Sequence, residues 1–474
     1  MRHRSLLVLA AIFFAACAHY PVNEKLDRAD IKKGYRYSNL TLPREDGTFV
    51  VLTFSGGGSR AAGFAYGVLR EMEKKTLPDG SNLLDHIDVI SSVSGGSFMS
   101  MYYGLHGREG LDGFKTEFLD KNIEGMLFKA AVTNIFRLLS PKFSRIDLAA
   151  ELYDREVFGN KTYADLLAVQ AANKRPYIVA NATELDLGSR FEWTQDQFDP
   201  ICSDLSKVHV ARAVAASSAF PVLLNPMQLK SYQGTCEFRT PGWVPLAMGD
   251  LEINASRHRS AIELTAYLNP QRAFLHLMDG GISDNIGLRG TLHALSSTDT
   301  FQMDDPERKR TGYTLQGPIN RREIKRLLVI VVNAATSNNL KIDKEEKNPK
   351  LAQILGTISF APMANFSFDT VQMLKGTVDM ISLRQQLPAD CVAAVKGQCP
   401  NATLPGANEP AVSFYPVVLG FTSVTDPAFQ KQLNDIGTNF ALKPGQLELL
   451  ERAAKDLLDG SDAYQRFLKD VGAR

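Results

Sequence analysis

Short apolar runs alternate along the chain with longer amphipathic segments, and this alternation predicts the fold class. Residues 49–54 form a β-branched and aromatic run that ends at glycines, as is typical of a strand. Residues 61–74 then place apolar side chains three and four positions apart, the spacing of a helix that buries one face. Further strands are predicted at Ile87–Val93, Tyr177–Thr183, Phe274–Met278 and Leu327–Val332. Alternating strands and helices predict an α/β fold, with a sheet covered by helices.

The chain beyond Asn333 is less regular, but one late strand connects it to the rest. Helices are predicted at residues 346–358, 368–382 and 446–458, a loop at 388–410 and a strand at 412–420. A strand this late can return to the main sheet, which favours one domain over two. We therefore expect a core at residues 48–340, with 341–474 packed on it as helices and a strand.

The N-terminus has the layout of a secretory signal. Two arginines precede an apolar run at 5–16 that is too short to span a bilayer. The run ends Phe14-Ala15-Ala16-Cys17, which resembles the bacterial lipoprotein cleavage box, although that pattern prefers leucine where Phe14 stands. Residues 1–16 are thus expected to be a signal peptide, Cys17 a lipidated anchor and 17–47 a polar tether. The alternative is ordinary cleavage, with Cys17 incidental.

The residue after the cysteine bears on location. Ala18 stands where an aspartate is associated with retention in the inner membrane. We therefore expect a lipid-anchored protein of the bacterial cell envelope, at the outer membrane and facing the periplasm.

Charge and cysteine content narrow the possible partners. Among 474 residues, 53 Lys and Arg nearly balance 52 Asp and Glu, which gives no reason to expect nucleic-acid binding. Five cysteines leave an even four if Cys17 is acylated. Export favours the pairs Cys202–Cys236 and Cys391–Cys399, with four reduced thiols as the alternative. No cysteine pair has the close spacing of a zinc site, so no metal is expected.

Two glycine-rich turns follow the first two strands. The first, at residues 55–60, can present backbone N–H groups to a negative charge at a helix N-terminus. A phosphate loop is excluded because Phe64 stands where lysine is needed. A dinucleotide site matches the glycine spacing, but it calls for an acidic residue at the end of the second strand.

The second strand ends instead in a serine-rich turn, Ser91-Ser92-Val93-Ser94-Gly95-Gly96. A serine between a strand and a helix, flanked by small residues, has the layout of a nucleophile elbow. In the usual G-x-S-x-G pattern, Ser92 replaces the first glycine while Gly96 keeps the second. This turn makes Ser94 the candidate nucleophile.

Four blocks together resemble the patatin-like phospholipase family. Gly56-Gly57-Gly58-Ser59-Arg60 is similar to the family's glycine-rich oxyanion block with its basic residue, and residues 92–96 are similar to its nucleophile block. Residues 213–221 resemble its small-residue block that ends in proline, and Asp279-Gly280-Gly281 its second catalytic block. The resemblance covers about residues 49–333.

The resemblance implies a three-layer α/β/α fold with a central, mostly parallel sheet. It implies hydrolysis of phospholipid or related acyl esters by a Ser94/Asp279 dyad, with no metal or other cofactor. A carboxylate can serve as the base if partial burial raises its proton affinity. An oxyanion hole is then expected from Gly56, Gly57, Gly58 and Arg60. A surface ion pair is the alternative role for Arg60.

Three alternatives stay open from the residues alone. His209, His276 and His293 lie in or beside elements of the fold, so a Ser-His-Asp triad of the α/β-hydrolase type is a rival mechanism. A non-catalytic lipid-binding lipoprotein on the same fold is a rival function. Residues 126–139 are strongly apolar with helical spacing, and we expect them in the core, with an acyl channel or a membrane contact as the alternative.

Overall fold

A mixed β-sheet runs through the centre of the fold, and the computed structural model describes most of the chain around it. The described residues are 18–39, 46–173, 176–221, 223–252, 254–296, 315–320, 322–336, 346, 348, 351–385, 389–400 and 412–474. The strands within them are β1 Thr48–Phe54, β2 Val89–Val93, β3 Tyr177–Glu184, β4 Ser189–Glu192, β5 Met227–Lys230, β6 Phe274–Asp279, β7 Arg326–Asn333 and β8 Ser413–Gly420.

The helices lie between and after these strands. They are α1 Gly58–Glu73, α2 Gly95–His106, α3 Leu111–Phe114, α4 Ile123–Thr133, α5 Ile135–Leu138, α6 Arg145–Tyr153, α7 Tyr163–Asn173, α8 Gln195–Phe198, α9 Val210–Ser217, α10 Trp243–Ala247, α11 Ala255–Tyr267, α12 Gly281–Asp284, α13 Arg289–Ser296, α14 Gln316–Asn320, α15 Leu351–Gln385, α16 Ala389–Gln398, α17 Pro427–Asn434, α18 Gln446–Asp459 and α19 Asp462–Asp470. Short 3-10 turns at 37–39, 83–86, 108–110, 205–207 and 421–423, and π-helical turns at 115–119 and 154–158, complete the described elements.

The sheet is mostly parallel. Its order is β5-β6-β3-β2-β1-β7-β8, with β4 paired to β3 off this path. The run β3-β2-β1-β7-β8 is parallel, whereas β6 pairs antiparallel with β3 and with β5. Every residue of β1, β2 and β3 is buried, as expected of strands covered by helices on both faces. The predicted α/β/α architecture is confirmed.

The C-terminal residues join the sheet and one of its covering layers. Strand β8 pairs with β7 along its whole length, from Arg326 opposite Ser413 to Asn333 opposite Gly420. Helix α18 packs closely on α1, because a Cβ on Gly67 would lie only 3.0 Å from the Cα of Glu451. The late strand therefore returns to the main sheet.

Two expectations for the C-terminal region were wrong. Residues 351–385 form one helix of 35 residues, α15, where two separate helices were expected. The expected loop at 388–410 contains α16 in its first part. In the part of the chain that the structure describes, no helix combines the length and the apolar composition needed to cross a bilayer.

The segment expected to be a tether is packed against the domain. The side chain of Tyr35 is buried, and its hydroxyl donates to the carbonyl of Ile178 on β3 at 3.0 Å. The buried Arg36 pairs with both Asp196 and Asp199. Residues 18–39 are therefore held in place by core contacts. Residues 1–16, which were expected to be a signal peptide, and Cys17 lie outside the described residues.

One of the two predicted disulfides is present. Cys202 and Cys236 are bonded and buried. Cys391 and Cys399 are free and exposed, so the prediction that they pair was wrong. They lie near the two ends of α16, and a helical rise of about 1.5 Å per residue separates them by roughly 12 Å. A disulfide needs Cα atoms within about 7 Å.

Candidate active site

Ser94 occupies a strained turn between β2 and α2. Its backbone has φ 51° and ψ −122°, a region that residues with a side chain rarely adopt. Its N–H donates to Oγ of Ser217 at 2.8 Å, and the side chain is almost fully buried. A serine held in a strained turn between a strand and a helix has the layout of a nucleophile elbow.

Tight packing around the turn explains its small residues. A Cβ on Gly95 would lie 2.0 Å from the carbonyl oxygen of Gly58, so only glycine fits there. Ser92, which replaces the first glycine of the usual pattern, accepts hydrogen bonds from Ser97 at 3.2 Å and from Ser100 at 2.6 Å. Serine therefore fits in place of the usual glycine, because its hydroxyl joins a buried hydrogen-bond network.

Asp279 ends β6 beside Ser94 because β3 aligns both strands. Val93 is opposite Asn181 on β3, and Asp279 is opposite the next residue, Ala182. The Ser94 side chain lies close enough to the Asp279 carboxyl to lower its pKa, and Oδ1 of Asp279 accepts from the N–H of Gly281 at 2.8 Å. The structure therefore brings together the two residues that the sequence proposed as nucleophile and base.

Burial controls the acidity of this carboxyl. It raises the pKa of Asp279 to about 6, and the hydrogen bonds from the Gly281 N–H and the Ser94 side chain oppose part of the rise. The carboxylate is therefore ionised at neutral pH but holds a proton far more readily than an exposed aspartate. A base with a pKa near the working pH is suited to proton transfer.

The small-residue block at 213–221 ties the two catalytic candidates together. Oγ of Ser217 accepts from the Ser94 N–H and itself donates to the carbonyl of Asn181 at 2.6 Å. The Ser217 carbonyl accepts from the N–H of Gly280 at 3.1 Å. On the other side, Oγ1 of Thr183 donates to the Asp279 carbonyl at 2.9 Å. Asp279 is thus fixed through its main chain, which leaves its carboxylate to face Ser94.

The glycine-rich loop provides two free donors rather than three. The Gly56 N–H donates to the carbonyl of Asn285 at 2.9 Å, so the prediction of an oxyanion contact from Gly56 was wrong. No described residue accepts a hydrogen bond from the N–H of Gly57 or Gly58. Gly58 has φ 62°, and a Cβ there would lie 2.2 Å from the Asn439 carbonyl oxygen. The amides of Gly57 and Gly58 are the available oxyanion donors.

Arg60, two residues after Gly58, links the glycine-rich loop to two other segments of the chain. Its Nε donates to the Ala334 carbonyl at 2.9 Å and one Nη to the Ile436 carbonyl at 2.6 Å. The guanidinium is buried, and burial lowers the pKa of Arg60 to about 10. Its other Nη lies 3.1 Å from where a Cβ on Gly57 would be. No described carboxylate forms a salt bridge with Arg60, so the alternative of a surface ion pair was wrong.

Two site residues were not found from the sequence. Oδ1 of Asn285 would lie 2.6 Å from a Cβ on Gly56 and 2.8 Å from one on Gly281, so this side chain fills the gap between the two catalytic loops. Its position six residues after Asp279 was the available signal. The Asn439 carbonyl accepts from the Ser59 N–H at 2.8 Å, and no local motif marks it.

The candidate histidines have other surroundings. His209 pairs with Asp154, and His276 is exposed on β6. His293 lines a cavity of about 540 Å³ beyond α12, together with the ion pairs Arg190–Glu192 and Arg259–Glu263. The hydrogen-bond partners that shift the pKa of Asp279 are Gly281 and Ser94, with no histidine among them.

The family model "Patatin-like phospholipase" matches residues 52–292, about half of the chain, and this span contains both Ser94 and Asp279. The comparison with curated proteins gave no match.

Several solved structures are similar to the chain at low sequence identity. Human GIVD cytosolic phospholipase A2 is 12% identical over 99% of this chain and 67% of its own, with a TM-score of 0.44. VipD from Legionella pneumophila is 13% identical over 93% and 71%, with a TM-score of 0.29. The SpcU–ExoU complex of Pseudomonas aeruginosa gives 13% identity over 90% and 91%, with a TM-score of 0.22. The chain spans about two thirds of the length of the human structure.

Proposed function

Because the chain belongs to the patatin-like phospholipase family, we propose that it is a serine acyl hydrolase with a Ser94/Asp279 dyad. Its substrates are phospholipids or related acyl lipids, and family membership supports lipid hydrolase activity at this coarser level. The observation that carries the dyad is the position of Ser94, at the end of β2, beside the buried Asp279 carboxyl at the end of β6, whose pKa is raised to about 6. The free N–H groups of Gly57 and Gly58 lie on the adjacent loop.

The chemistry takes two half-reactions. The Asp279 carboxylate accepts the hydroxyl proton as Oγ of Ser94 attacks the ester carbonyl, and the amides of Gly57 and Gly58 stabilise the oxyanion. The intermediate collapses to an acyl-enzyme when the C–O bond of the ester breaks, and Asp279 returns its proton to the departing alcohol. Water then attacks the acyl-enzyme, with Asp279 again as base, and releases the fatty acid.

Labelling and kinetics with matched variants test this proposal. A fluorophosphonate should label wild-type protein at Ser94, and Ser94→Ala should abolish both labelling and phospholipid hydrolysis. Asp279→Asn should lose nearly all turnover, and the double variant should be little worse, since residues acting as one unit are not additive. Asp284→Asn is the matched control, because Asp284 is also a buried carboxyl whose pKa burial raises.

The outcomes separate the alternatives. Absence of any adduct on Ser94 would indicate a non-catalytic lipid-binding protein. A folded His209→Ala, His276→Ala or His293→Ala variant as inactive as Ser94→Ala would replace the dyad with a triad. Turnover of the wild type should rise with pH around 6, where the pKa of Asp279 lies, because only the ionised carboxylate accepts the serine proton.

The cellular location is proposed from the N-terminal sequence and from the disulfide. Residues 1–16 act as a signal peptide and Cys17 carries the lipid anchor, which places the protein at the outer membrane facing the periplasm. The Cys202–Cys236 disulfide supports an oxidising compartment. Cys17→Ala should move the protein from the membrane fraction to the soluble fraction. Unchanged fractionation of that variant would contradict the anchor.

A further inference from the structure

A stripe of large apolar side chains is exposed along α4 and α5. Its members are Phe128 (73% exposed), Val132 (59%), Ile135 (51%), Phe136 (51%) and Leu139 (66%). Successive members are mostly three or four residues apart, so they share one face across the two helices. The expectation that this segment lies in the core was therefore wrong for its most apolar face. We call these five residues the apolar stripe.

Basic residues surround the apolar stripe. Residues 121–145 contain five basic residues, of which Lys121 pairs with Glu156 and Arg137 with Glu151. Lys129, Lys142 and Arg145 are exposed. An apolar face bordered by cations is the pattern of a helix that lies in the headgroup region of an anionic bilayer. A second copy of the chain fits less well, because two-fold pairing of this face would bring like charges together.

The described chain begins at the end of the apolar stripe. The Ala18 carbonyl accepts from Oγ of Ser140 at 2.6 Å, and the Tyr20 N–H donates to the Lys142 carbonyl at 2.7 Å. Ala18, the residue after the cysteine proposed to be acylated, therefore lies beside Ser140, which follows the last residue of the stripe. The packed segment at 18–39 holds this point in a fixed position.

The start of α4, one turn before the apolar stripe, contacts the segment that closes the glycine-rich loop. The N–H of Glu124, at the start of α4, donates to the Phe440 carbonyl at 3.2 Å. The neighbouring Asn439 carbonyl accepts from the N–H of Ser59 in the glycine-rich loop. The Phe440 ring lies 5.6 Å from that of Phe98 on α2, the helix that begins after Ser94. One short segment, Asn439–Phe440, therefore connects the start of the helix that carries the stripe to the glycine-rich loop and to α2.

We propose that the apolar stripe and its basic border form a membrane-docking face, which seats the enzyme on an anionic lipid bilayer. The acyl anchor and this face act at the same point of the surface, so the anchor retains the protein while the face fixes its orientation. In that orientation the catalytic loop is next to the bilayer from which the substrate comes. The inference rests on the proposed function in one respect, that the substrate is a membrane lipid.

The test uses the full chain with Cys17→Ala, so that only the face can bind. Phe128→Ser/Phe136→Ser is the test variant, and both side chains are already exposed, so the fold should be kept. Leu185→Ser/Phe274→Ser is the control, since both residues are exposed elsewhere. Co-sedimentation with vesicles of phosphatidylethanolamine and phosphatidylglycerol should fall at least tenfold for the test variant and stay within twofold for the control.

A second readout separates docking from catalysis. The test variant should hydrolyse vesicle phospholipid at least tenfold more slowly, yet hydrolyse a soluble short-chain ester at the control rate. If no protein cleaves the soluble ester, the proposed function fails, and sedimentation still decides the docking face. Equal vesicle binding by test and control variants would overturn the inference. So would a wild-type dimer that the test variant converts to a monomer, because a second copy would then occupy the face.

Discussion

Asp279→Asn should make the protein more stable than the wild type. The gain should appear only above pH 3.8, the ordinary pKa of an aspartate. Burial raises the pKa of Asp279 from 3.8 to about 6, so the folded protein holds this proton more tightly than the unfolded chain. Below pH 3.8 the carboxyl is protonated in both states, and burial of its charge costs nothing. As the pH rises from 3.8 to about 6, the unfolded chain releases the proton first, and the free energy of unfolding falls.

The size of the effect follows from the same pKa difference. At 1.36 kcal/mol per pH unit, the ionised carboxylate costs about 3 kcal/mol of stability once the pH is well above 6. Asparagine is uncharged at every pH and can still accept from the Gly281 N–H. The variant should therefore exceed the wild type by up to about 3 kcal/mol at pH 8 and by close to nothing at pH 4.

Denaturant unfolding of both proteins at pH 4, 6 and 8 measures this difference. Asp27→Asn, at an exposed aspartate, is the control for the substitution itself. An advantage of Asp279→Asn that is equal at pH 4 and pH 8 would refute the reasoning. A variant less stable than the wild type at pH 8 would refute it as well.

Three further predictions concern the elbow, the loop and the disulfide. Ser94→Gly and Ser94→Ala should both be inactive. The glycine variant should be about 1–2 kcal/mol more stable than the alanine variant because it relieves the strain at φ 51°. Equal unfolding midpoints of the two variants would show that the turn is not strained. Arg60→Ala should lose activity and also about 2–4 kcal/mol of stability, since two buried carbonyls lose their donors. An inactive Arg60→Ala variant of wild-type stability would instead indicate that Arg60 contacts the substrate directly. In Cys202→Ser/Cys236→Ser the free energy of unfolding should be about 3–4 kcal/mol lower than in the wild type, as expected for a sequence separation of 34 residues. Denaturation of the wild type with and without reductant gives the same comparison.

Sequence reasoning succeeded where short motifs coincide with strand ends. The turns after β1 and β2 were located because glycine and serine follow buried apolar runs. Ser94 and Asp279 were paired through the resemblance of four blocks, although they are far apart in sequence. The local pattern could not supply the reason they meet, which is that β6 runs antiparallel to β3.

Other features depend on contacts that no local pattern encodes. Residues 18–39 look polar and tether-like, yet Tyr35 and Arg36 are held by partners about 140 to 165 residues further along the chain. The apolar spacing of residues 126–139 correctly predicts an amphipathic helix. Spacing alone does not determine whether the apolar face is buried in the core or exposed at the surface. The close spacing of Cys391 and Cys399 predicted a loop disulfide, but the intervening residues form a helix.

The Asn439 carbonyl makes the glycine-rich loop depend on a residue far along the chain. It lies about 380 residues after Ser59, yet it accepts from the Ser59 N–H and closes against Gly58. During synthesis the chain therefore contains Ser94 and Asp279 long before the residue that completes the loop is added. Any activity of the site should accordingly begin only after this late contact forms. Chains that stop at residue 436 should be inactive, and turnover by such a chain would show that the contact is not needed.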